Sequence, residues 1–237
     1  MENNKRAFIF DMDGTLIDSM PYHYRTWLDT FHKLGVDISE DQLKQANLGV
    51  ISEVIRRLLG EDLTDEEVQR IANMKEGHFK QVYKPHLELL PGLPEFLSGA
   101  QSLGIPMAIG TSAMYGNIDY VLDGLNLREY FDAIVGDEDV CNGKPNPETF
   151  LLAAERLNAP AHNCLVFEDS AAGVEAARRA GMQVVYLTTG SKHQMNQTWD
   201  HVLLSIADYR EISPQSLLTW NKSGFQSNFD AGTKGGI

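Results

Sequence analysis

From Ala7 the chain is apolar for four residues, Ala7-Phe8-Ile9-Phe10, then turns abruptly polar at Asp11-Met12-Asp13-Gly14-Thr15. A short apolar run bounded by turn residues fits a strand buried on both faces. From about 21 to 83 the rhythm is helical, with no strand-like stretch. Tyr24, Trp27, Leu28, Phe31 and Leu34 recur at three- and four-residue steps, forming one apolar face. Val50, Val54, Ile55, Leu58 and Leu59 repeat that pattern until Gly60 ends it. Thr64-Asp65-Glu66-Glu67 has the form of a capping box opening a third helix, with Val68, Ile71, Met74 and Phe79 following. Prolines and Gly92 then punctuate 85–94.

Beyond Pro94 helices and strands alternate. The pattern predicts helices over 95–103, 117–125, 148–157 and 171–180, and strands over 106–109, 133–135, 164–167 and 184–187. Alternation of this kind implies an α/β class: a parallel sheet with helices on both faces. The helical block, inserted directly after the first strand, reads as an all-helical cap domain over the sheet's carboxyl edge. The expected division is a core from 1–17 and 89–220, a cap over 18–88, and a flexible tail over 221–237, rich in Gly, Ser and Asn.

Composition narrows the partners. A net charge of −13 argues against nucleic acid and against an anionic membrane surface. An anionic substrate would need positive charge supplied within the site, most simply by a divalent cation. Cys141 and Cys164 form no disulfide framework and sit in no metal-ligand spacing. The first apolar run is too short for a signal peptide or a membrane span, so a cytoplasmic location is expected, as a monomer.

The candidate chemistry lies where strands end. Asp11 and Asp13 follow the first strand at spacing i, i+2, which directs two carboxylates to one side of an extended segment. The strand before Thr111-Ser112 ends in hydroxyls, and the strand before Glu168-Asp169 ends in carboxylates. Lys144 precedes a proline-initiated helix. Each motif alone has an ordinary explanation, as an N-cap, a helix-dipole partner or a surface lysine. Together, in this order, they resemble the haloacid dehalogenase-like hydrolase superfamily, in its helical-cap subfamily and β-phosphoglucomutase-like branch. The resemblance covers the chain to about residue 218.

That resemblance implies a Rossmann-like core and a phosphoryl-transfer site. Asp11 is the implied nucleophile, forming an aspartyl-phosphate, and Asp13 the acid–base that serves the leaving oxygen and then the incoming water. Mg²⁺ is the implied cofactor, held by Asp11, the Asp13 carbonyl and Asp169, with Glu168 supporting directly or through water. Lys144 implies a second positive charge, while Thr111 and Ser112 hold phosphoryl oxygens. His23 and Lys75 match cap positions that reach toward the site in relatives.

The expected substrate is a small phosphomonoester, sugar phosphates leading, and the expected reaction hydrolysis. The alternative is a hexose-phosphate mutase, which must grip a bisphosphate at both ends. Where that mutase carries cap cations and a Ser-Lys-Asn run, this chain has Leu48, Ser52 and Ala113-Met114-Tyr115. Arg56, one turn beyond Ser52, is the nearest candidate to compensate. A non-catalytic phosphometabolite sensor is the third reading; it would have no use for both Asp11 and Asp13. Dehalogenation is disfavoured, since it needs no metal.

Overall fold

The four apolar residues after Arg6 form strand β1 (Ala7–Phe10), buried on both faces. A computed structural model describes residues 6–46, 50–189 and 199–218. Leu48 and the expected tail 221–237 lie outside the described residues. After β1 come helices α1 (Met20–Lys33), α2 (Glu40–Ala46), α3 (Ile51–Leu59) and α4 (Asp65–Tyr83). The alternating half then runs α5 (Leu93–Ser102), β2 (Met107–Gly110), α6 (Tyr115–Gly124), β3 (Ala133–Val135) and α7 (Glu148–Arg156). It continues through β4 (Cys164–Glu168), α8 (Ala171–Arg179), β5 (Gln183–Leu187), β6 (Val202–Ile206) and the short α9 (Pro214–Leu217).

All strand pairings are parallel, in the order β3-β2-β1-β4-β5-β6. This is an α/β Rossmann-like sheet. The order reverses between β1 and β4, and in such sheets the crevice beyond the carboxyl ends at that reversal receives the ligand. Because side chains alternate along β1, Phe8 and Phe10 enter one core and Ala7 and Ile9 the other. The first core is aromatic: Phe10 stacks on Phe167 at 4.4 Å, with Phe96 and Tyr209 packed around them. It packs beneath the strand ends.

The helices between β1 and α5 build a third cluster from Trp27, Phe31, Leu43, Val54, Ile55, Val68, Ile71 and Ala72. Thr64 caps α4 as its sequence suggests, accepting the Glu67 N–H while the Glu67 carboxylate returns to the Thr64 N–H. Two details depart from the periodic reading. Val50 precedes α3 as its N-cap, and Met74 lies only half-buried while Lys75 takes the inward position of α4. The pattern also passed over α2, β6 and α9. Among the described residues no helix is long and apolar enough to cross a membrane. Cys141 is exposed and Cys164 buried, both as free thiols.

Candidate functional site

Asp11 is the first residue past β1, tied to β4 by its N–H to the Phe167 carbonyl at 3.0 Å. Thr111 ends β2 in the same way, its N–H bonded to the Val135 carbonyl of β3 at 3.0 Å. Glu168 closes β4, and Asp169 follows it. The sheet register thus carries side chains far apart in sequence to one edge. Between them lies Lys144, whose Nζ donates to Asp11 Oδ1 at 2.6 Å and to Glu168 Oε1 at 2.8 Å. The Phe150 ring lies 4.6 Å below that ammonium.

Two glycines make this crowding possible. Gly14 has φ +80°, and a Cβ there would fall 2.1 Å from Asp169 Oδ2. A Cβ on Gly173, in the first turn of α8, would overlap the Glu168 carboxylate at 1.7 Å. Glu168 is held from both sides: its other oxygen accepts the Ser170 N–H at 2.5 Å, and Ser170 in turn caps α8.

Burial governs the charges. Asp11 is pushed up to about 7, chiefly by burial, with Glu168 and Asp13 adding repulsion and Lys144 opposing. Asp169 is likewise raised well above the ordinary carboxylate range, by burial and then by Glu168 and Asp11. Burial alone would lower the Lys144 ammonium, but Asp11 and Glu168 outweigh it and hold the lysine charged.

Asp13, two residues from Asp11, has the opposite character. Burial would raise it, yet His23, Ser19 and Lys75 together hold it below the ordinary carboxylate range. Its Oδ1 accepts from Ser19 Oγ at 2.5 Å and meets His23 Nε2 at 3.1 Å. Ser19 stands at the N-cap of α1, but its side chain makes no cap bond and serves Asp13 instead. His23 stacks on Phe79 with ring centroids 3.8 Å apart, and its Nδ1 lies 2.6 Å from Lys75 Nζ.

The structure therefore brings Asp11, Thr111, Lys144, Glu168 and Asp169 to one sheet edge, and links Asp13 to His23 and Lys75. Thr111 Oγ1 accepts the Ala113 N–H at 3.2 Å, and Ser112 beside it is half-buried. Arg56 does not turn to this edge; its guanidinium holds the Leu63 carbonyl and Asp65 at the start of α4. Three further participants carried no signal in the pattern: Ser19, Glu76 and Asn117. Each looks ordinary until the fold supplies its partner.

The donor set fits a hard divalent cation. Asp11, Glu168 and Asp169 each offer an oxygen, all within 4.8 Å of one another, and all three residues are buried. One ammonium cannot neutralise three clustered carboxylates; burial first, and then their mutual repulsion, raises Asp11 and Asp169. All-oxygen ligation of this kind suits Mg²⁺.

Comparison with known proteins gives a consistent picture. The family model for haloacid dehalogenase-like hydrolases matches residues 8–187. The Thermotoga maritima phosphorylated carbohydrates phosphatase is 33% identical over 213 residues, covering 90% of this chain and 96% of that protein. The Escherichia coli fructose-1-phosphate phosphatase YqaB is 32% identical over 179 residues, covering 76% and 94%. A crystal structure of β-phosphoglucomutase from Clostridium difficile superposes with a TM-score of 0.76 at 28% identity, covering 90% and 96%.

Proposed function

This chain belongs to the haloacid dehalogenase-like hydrolases, and from that premise we propose that it is a Mg²⁺-dependent phosphatase of phosphorylated carbohydrates. The reaction runs through an aspartyl-phosphate on Asp11. One observation carries the reading: two carboxylates two residues apart stand in opposite environments, Asp11 against Lys144 and Asp13 under His23 and Ser19. Lys144 and the cation that the site would hold favour an anionic Asp11 for attack, while Asp13, bonded by His23 and Ser19 through Oδ1, keeps Oδ2 for the leaving oxygen.

Asp11 attacks phosphorus, and the bond to the sugar oxygen breaks. Asp13 protonates that leaving oxygen, then takes the proton from the water that releases phosphate and regenerates Asp11. Both neighbours of Asp13 act on Oδ1, so the transferable proton resides on Oδ2. Lys144 and the Thr111–Ser112 turn meet the phosphoryl oxygens. Asp11, Asp169, the Asp13 carbonyl and the support of Glu168 would hold Mg²⁺, which offsets the negative charge of nucleophile and phosphate as they meet. Carbohydrate phosphates are favoured by the names of the two phosphatase relatives.

The mutase reading has a structural neighbour in its favour, but a mutase must retain a bisphosphate. Ala113, Met114 and Tyr115 supply no cation, and Arg56 is committed to α4. Each missing charge-assisted bond forfeits about 1.5–3 kcal/mol, roughly ten- to a hundredfold in retention. β-Glucose 1-phosphate given with glucose 1,6-bisphosphate should therefore release phosphate and yield little glucose 6-phosphate. A coupled dehydrogenase assay beside a phosphate assay measures both. Glucose 6-phosphate forming much faster than phosphate would establish the mutase instead.

A further inference from the structure

The contacts around Asp13 continue past Lys75. Lys75 Nζ donates to Glu76 Oε1 at 2.8 Å, and Glu76 Oε2 accepts from Asn117 Nδ2 at 2.5 Å. Glu76 lies on α4 and Asn117 in the first turn of α6, directly beyond the Thr111–Ser112 turn. We propose that Glu76 and Asn117 are positioning residues, a latch that joins the helical insert to the core and, through Lys75 and His23, fixes the orientation of the Asp13 carboxylate. The inference rests on the reading of Asp13 as the proton donor.

An ammonium has donors only, so the 2.6 Å contact makes His23 Nδ1 the acceptor from Lys75. The ring hydrogen then sits on Nε2 and points at Asp13 Oδ1. Lys75 thus selects the tautomer. Lys75 is itself only 2% exposed, and a buried ammonium needs a paired anion, which Glu76 provides. Burial would raise the Glu76 carboxyl, but Lys75 above all, with the Asn117 amide, outweighs it and lowers it instead.

Asn117 contributes from the other side. Its Oδ1 is buried without a partner, so the single bond from Nδ2 to Glu76 orients the amide. Flipping it would set oxygen against carboxylate. The chain from Asn117 to Asp13 is complete only with α4 resting on α6, so the proton donor is oriented when the insert sits against the core.

The test uses leaving-group dependence, which packing defects do not share. Phenolate needs a proton more than p-nitrophenolate does, so misorienting the proton donor should penalise phenyl phosphate selectively. Asn117→Asp keeps a favourable residue in the first turn of α6 and replaces the donor by a repelling carboxylate. It should lower kcat/KM about tenfold on phenyl phosphate and by less than about threefold on p-nitrophenyl phosphate. Asn117→Ala, which removes the donor without adding a charge and leaves Glu76 beside Lys75, should show the same selectivity with a smaller loss on phenyl phosphate. Equal losses on both substrates in both variants overturn the latch. Asp13→Asn must show the same selectivity. If it shows none, the proton-donor reading falls and the latch with it; if Asp13→Asn discriminates and Asn117→Asp does not, the latch alone falls.

Discussion

Asp11 and Asp13 share a strand end yet are shifted in opposite directions, because each carboxylate answers to its own neighbours. Asp11 and Asp169 lose solvent and face other carboxylates, while Asp13 gains a histidine, a hydroxyl and a nearby ammonium. The same rule acts on Asp137, at the carboxyl edge beyond β3. Burial first, then Glu138, Glu53 and Glu76, raise it from 3.8 to about 7. One of its oxygens is buried without a partner. A raised carboxyl binds more protons folded than unfolded between those two values, so its contribution to stability is lost as pH rises through about 7. Asp137→Asn removes that loss. Discounted for partial exposure, its stability relative to wild type should improve by about 1–2 kcal/mol between pH 5 and pH 8. Urea unfolding at the two pH values measures this, and a pH-independent difference would refute the assignment.

At the scale of elements, α4 has the most to hold. It packs into the cluster around Trp27 and also presents Lys75 and Glu76 toward the core. Its start is secured by the Thr64–Glu67 capping box, and Arg56 of α3 binds the Leu63 carbonyl and Asp65 there. Thr64→Ala should cost about 1 kcal/mol of stability, read as a lower urea midpoint at unchanged slope. Thr64 touches no residue of the site, so kcat on a good substrate should stay within about twofold; a large loss of kcat would mean that fraying of α4 reaches Asp13. The elements missed by pattern share a cause. Among its described side chains Glu40–Ala46 buries only Leu43 and Ala46, too few positions for a helical period, and β6 is an edge strand covered on one side by β5 alone.

At the scale of the molecule, a chain of net charge −13 gathers three of its carboxylates into one buried site. Such a site is strained without added positive charge, and a ligand that binds only the folded state stabilises it by mass action. Mg²⁺ at neutral pH should therefore raise Tm, and excess EDTA should both remove that gain and abolish turnover. Ca²⁺ should substitute poorly in turnover, because it favours looser, higher coordination. Full activity in excess chelator would remove the metal from the mechanism. Differential scanning fluorimetry with and without metal supplies a readout independent of catalysis.

The sequence by itself determined the class of the fold and the order of its chemistry. Runs such as Phe8-Ile9-Phe10 and Leu165-Val166-Phe167 are apolar at every position because strands covered on both faces can tolerate nothing else, and their polar endings mark the sheet edge. Asp11, Thr111 and Asp169 were legible as candidates because each follows such a local break, and Lys144 because it precedes a proline-initiated helix. What only the tertiary structure decided is which polar groups answer one another. His23 and Lys75 are 52 residues apart, and Glu76 and Asn117 are 41 apart. Nothing local distinguishes Glu76 from the exposed glutamates earlier in α4, or Ser19 from an ordinary N-cap. Their roles arise from burial, since a carboxylate or ammonium withdrawn from water must find its partner wherever the fold brings one.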